Sequence, residues 1–110
     1  MPPQGQPDRT RHITESIIQA IRHFLASVEG QIKSARRAVR RCDSPCSCSK
    51  INSDELQAIR LLQQRGQILT AVHHDFLEQQ GASSILRSIG AAQLQMALFL
   101  DEIGEQIDAF

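Results

Sequence analysis

Three cysteines fall within seven residues, Cys42, Cys46 and Cys48 of the segment RRCDSPCSCSK. Thiolates are ligands for Zn(II) and Cu(I), and three on one short loop can converge on a single ion. The flanking arginines and Lys50 favour the thiolate over the thiol. The spacing Cys-x-x-x-Cys-x-Cys, however, matches neither paired Cys-x-x-Cys knuckles nor Cys-x-x-Cys with two histidines, and no histidine lies nearby. The ordinary expectation is therefore free or redox-labile cysteines in an exposed loop, with no cofactor. Metal ligation and S-acylation beside the basic run are the alternatives.

The other residues able to do chemistry are scattered. His73 and His74 adjoin, and His73 falls on an apolar helical stripe where it should approach Ile21. A core-facing histidine is usually a polar packing residue satisfied by a neighbour. Asp75 and Glu78 are expected to point elsewhere, so no acid-base or metal set forms. There is no Gly-rich phosphate loop and no nucleophile with a base at a telling spacing. The fragment from Asp54-Glu55-Leu56 to Leu62-Gln63-Gln64-Arg65 resembles the first helix of the all-helical chorismate mutases over about a dozen residues. No matching set of inward-facing Arg, Lys and Glu occurs elsewhere, so no site is carried over, and the protein is read as not an enzyme.

Two surfaces remain. Arg22, Lys33, Arg36, Arg37 and Arg40 fall within one sector of the first helix and could hold phosphates or an acidic partner. No aromatic residue is interleaved to stack on bases. The plainer reading is a solvated face that also offsets nearby acids. The second surface is the back of the last helix. Ala91, Leu94, Ala97 and Leu98 surround Met96 and Phe99, so residues 91–100 are apolar almost all round. Contiguous apolar residues at a helix centre point to a partner helix. The competing reading is a helix buried on every side.

These residues need elements to carry them. Ile85, Ile89, Ala92, Met96, Phe99 and Ile103 are spaced 4, 3, 4, 3, 4, an apolar seam of coiled-coil type. Ile13, Ile17, Ile21, Phe24, Val28, Ile32, Ala35 and Val39 make a second stripe. Their seven steps cover 26 residues, close to the period of a straight helix. Leu56, Ile59, Leu62, Gly66, Leu69, Val72 or His73, and Phe76 make a third. Gly66 on that stripe implies close approach of a neighbouring helix. Helices are expected near 12–41, 53–80 and 83–109, each roughly 40–45 Å long. A cysteine-containing loop over 42–52 joins the first two, with Asn52 capping the second helix, Glu55 closing a capping-box variant and Gly81 ending the helix. Ser83 or Ser84 should cap the third. Residues 1–10, rich in Pro, Gly and Gln, are expected as a disordered arm before a single helical domain over 11–110.

Matched lengths and short connections imply an all-α fold, an up-down-up antiparallel three-helix bundle with coiled-coil-like packing. The charges agree. Residues 1–41 hold eight Lys/Arg against three Asp/Glu, and residues 81–110 hold one against four. Parallel first and third helices bring the basic end beside Asp101, Glu102, Glu105 and Asp108. Net charge is zero, so bulk charge steers the molecule towards neither nucleic acid nor membrane. No run is long and apolar enough for a signal or a span. The expectation is a cytoplasmic protein of a cell or host cell. It is read as a protein-protein interaction module: a homodimer, or a small subunit, adaptor or chaperone of a larger assembly. The alternative is a nucleic-acid-binding or metal-responsive regulator using the arginine face and the Cys42–Cys48 loop.

Overall fold

The computed structural model describes the backbone of residues 5–40 and 45–108, and the side-chain surroundings of residues 9–40 and 54–103. Three helices follow one another: α1 (Gly5–Arg40), α2 (Pro45–Gln79) and α3 (Ser83–Asp108). Among the described residues there is no strand. Each helix packs on both others. Phe24 of α1 approaches Gly66 of α2, whereas Gln31 meets Glu55, so α1 and α2 run antiparallel. Residues 25–36 of α1 share a cleft with residues 88–95 of α3, and residues 36–40 share the next with residues 99–103, so α1 and α3 are parallel. This is the up-down-up three-helix bundle that the apolar spacing predicts. It is a rod of 70 × 16 × 16 Å.

The helix ends depart from the sequence reading. α1 starts at Gly5, ahead of the start expected near residue 12. Pro7 is compatible with this, because backbone N–H groups in a first turn have no helical partner to lose. Pro45 opens α2, the helical position proline tolerates best. The backbone then stays helical through residues 45–53, where a loop was expected. Asn52 therefore lies inside α2 and not at its cap. Glu55 turns to α1, where its carboxylate accepts hydrogen bonds from Gln31 Nε2 and, at 3.4 Å, from Ser34 Oγ. The helices hold 36, 35 and 26 residues, so their lengths are unequal and α1 and α2 outreach α3.

The α2–α3 turn is a Schellman motif. Ala82 N–H donates to the Leu77 carbonyl at 2.8 Å, and Gly81 N–H to the Glu78 carbonyl at 3.1 Å. Gly81 takes the left-handed conformation this requires, with φ of 71°. Ala82 packs back on the core. Its carbonyl accepts the Ile85 N–H at 3.2 Å, so Ala82 takes the cap position expected of Ser83 or Ser84, and Ser83 is already helical.

The core holds Ile21, Phe24, Val28, Ile32 and Ala35 from α1, Ile59 and Leu77 from α2, and Ile89, Ala92, Met96, Phe99 and Ile103 from α3. Nearly all stand on the stripes read from the sequence. Ile13 departs from its stripe and is 45% exposed. On α2, His73 is half-buried while Val72 faces water. Gly66 is buried, and a Cβ there would lie 2.8 Å from Phe24 Cζ and 2.7 Å from Gln93 Cδ. The glycine is what lets Phe24 and Gln93 enter the centre of the bundle. Gln93 Nε2 donates to the Gln63 carbonyl at 2.8 Å, locking α3 against α2 in register. Its buried Oε1 has no hydrogen-bond partner among the described residues.

Candidate functional site

The outer face of α3 is built by subtraction. Ile85, Ile89, Ala92, Met96, Phe99 and Ile103 turn inward, and Gln93 turns to α2. At roughly 100° per residue, Leu94 and Leu98 each fall roughly 160° from Met96, on the side facing away from the bundle. They are 61% and 60% exposed. Being four residues apart, they are neighbours on that face. The four residues singled out from the sequence separate here. Ala91 is exposed and lines the α1–α3 cleft, a space of about 450 Å3 also bordered by Leu25, Lys33, Arg36 and Gln95. Ala97 is half-buried. Leu94 and Leu98 make the outer stripe, continued by Arg87 and Asp101, both exposed.

A second stripe was not singled out from the sequence. Leu61, Ile68 and Val72 of α2 are 58%, 62% and 66% exposed. Their steps of seven and four put them on one face, and Arg65, also exposed, stands between them. The signal was present in the spacing. It was masked because the stripe through Leu56 and Phe76 already accounts for a core face. At roughly 100° per residue the outer stripe centres roughly 140° from Gly66, past the flank that carries Glu55. It lies roughly 160° from Gln63, which meets α3, so the α2 and α3 stripes stay on separate sides of the rod.

The basic residues Arg22, Lys33, Arg36, Arg37 and Arg40 are all exposed. Two are engaged within the bundle. Lys33 Nζ lies 3.1 Å from Glu29, and the Arg36 guanidinium sits 5.5 Å from the centre of the Phe99 ring. Arg36 and Arg40 share with Glu102 a cleft of about 460 Å3 that Val39, Phe99 and Ile103 also line. Of the four acids expected beside the basic end of α1, this places Glu102 there; Asp101 stands on the outer face, and the side chains of Glu105 and Asp108 lie outside the described residues. Every ion pair between described residues nevertheless lies within one helix.

His74 corrects the sequence reading. It does have carboxylates at hand, with Nδ1 3.3 Å from Asp75 and Nε2 3.5 Å from Glu78. The i,i+4 spacing on one helix face brings Glu78 to it. The group is exposed, and among the described residues no set of three metal-ligating side chains converges. Cys42 lies outside the described residues. The backbone at Cys46 and Cys48 is helical, and their side chains lie outside the described residues. No described helix is long and apolar enough to cross a membrane. Comparison with protein-family models, with curated proteins and with solved structures finds no match for this chain.

Proposed function

We propose that this protein acts by binding protein through the outer face of α3, without catalysis, as a homodimer or as a small subunit, adaptor or chaperone of a larger assembly in the cytosol. The observation that carries the reading is the pair Leu94 and Leu98, about three-fifths exposed at the centre of a helix whose opposite face is fully buried. Water does not favour two neighbouring leucines on a folded surface, and a partner helix laid along them removes apolar area from solvent. The basic face supports an anionic partner less well, since Lys33 and Arg36 already have intramolecular neighbours.

The test is capture by the wild-type protein compared with Leu94→Glu/Leu98→Glu, using both purified protein and an extract of its source cell. Specific partners, whether copies of the chain or another protein, should be lost from the double variant while its helical circular dichroism is kept. Equal capture by both proteins contradicts the reading.

A further inference from the structure

We infer that copies of this chain assemble head to tail, the outer stripe of α3 on one copy packing antiparallel against the outer stripe of α2 on the next. The inference rests on the proposed binding role of α3 and adds its partner surface. The α2 segment from Arg65 to Asp75 and the α3 segment from Arg87 to Asp101 are apolar at the centre and charged at the ends, with Leu61 lying beyond Arg65. On α2 the order is Arg65, Ile68, Val72, Asp75, with steps of 3, 4, 3. On α3, read backwards, it is Asp101, Leu98, Leu94, Ala91, with the same steps. Alternating steps of three and four make a seam that another such seam can engage over several turns.

Laid antiparallel in this register, Arg65 meets Asp101, Ile68 meets Leu98, and Val72 meets Leu94. Asp75 meets Ala91, and Arg87 comes within one turn of Asp75. All these residues are exposed in the single chain. Opposite charges therefore bracket two apolar layers. Turning α3 around while keeping leucine on Ile68 and Val72 puts Asp75 against Asp101 and loses the Arg65–Asp101 pair, so charge selects the antiparallel orientation, while Leu61 falls opposite a charged residue in either, Glu105 in the first and Arg87 in the second. One type of contact covers both stripes. Pairing α3 with α3, or α2 with α2, leaves the other stripe in water. Because the two stripes lie on separate sides of the rod, the contact joins unlike surfaces and can repeat from copy to copy.

The experiment is sedimentation of purified full-length protein over a range of concentrations, with two double variants, Ile68→Glu/Val72→Glu and Leu94→Glu/Leu98→Glu. The wild type should form species larger than a dimer as concentration rises, and each variant alone should be monomeric. Mixing the two variants leaves one intact α2 stripe and one intact α3 stripe, so the mixture should give a one-to-one dimer that grows no further. Three results overturn the inference: a wild type monomeric throughout, a dimer indifferent to the α2 variant, or a mixture that stays monomeric. A monomeric wild type that still captures a different protein through Leu94 and Leu98 overturns it while leaving the α3 binding role standing. If either double variant loses helicity, charge exchange decides. Arg65→Asp and Asp101→Arg should each weaken assembly and should restore it when combined in one chain, and no recovery overturns the register.

Discussion

At Gly66 a methyl group has no room. Its Cβ would sit 2.8 Å from the tip of the buried Phe24 ring, whereas at Gly30 nothing lies within 4 Å. Both glycines are helical, so alanine adds up to about 1 kcal/mol of helix propensity at each. At Gly66 overpacking costs about 1–3 kcal/mol against that gain, and the ring is held in the core. Gly66→Ala should therefore lower the free energy of unfolding, and Gly30→Ala should raise it, in urea denaturation. Equal gains at both sites contradict the close approach. The glycine was legible in the sequence because it interrupts an apolar stripe. Its neighbour Gln93 was not, since a polar residue one step from a seam reads as solvent-facing. Nothing in the spacing reveals that it reaches the Gln63 carbonyl.

The ends of the elements carry two further tests. Gly81 holds a φ of 71°, a conformation that costs other residues roughly 1–2 kcal/mol. Gly81→Ala should lower stability by about that amount, because the Schellman turn sets how α3 folds back on α2. An unchanged midpoint would show that the turn relaxes without cost. Asn52 stands in the interior of α2, where alanine is preferred over asparagine by up to about 0.7 kcal/mol. Asn52→Ala should leave stability unchanged or raise it slightly, and a loss of about 1 kcal/mol would restore it as a cap. Helix interiors were legible from periodicity, which sums over many residues. Helix starts were not. Asn52 with Glu55 makes a good local start signal, and Glu55 is drawn instead to Gln31 and Ser34 of α1. Tertiary contact outweighed the local cap, and Pro45 took the opening position.

Across the whole molecule, the bundle follows from three apolar stripes, and the stripe on α3 separates a core seam from an outer face. The sequence showed that residues 91–100 are apolar nearly all round, but left open whether every face is intramolecular. The structure buries Ile89 and Phe99 and leaves Leu94 and Leu98 exposed. The α2 stripe was hidden because Leu61 and Ile68 adjoin Leu62 and Leu69 of the core-facing side and Val72 was itself a candidate for the core stripe, and only the folded positions of Gly66 and Glu55 show which way they face. The most direct measurement compares Leu94→Glu/Leu98→Glu with Ile89→Glu/Phe99→Glu by circular dichroism, thermal unfolding and sedimentation. The core variant should unfold. The outer variant should keep wild-type helicity and melting temperature while losing association, since each leucine buried in a contact contributes about 1.5–3 kcal/mol. An outer variant that unfolds like the core variant, or one that associates like the wild type, contradicts the assignment of α3 as the binding face.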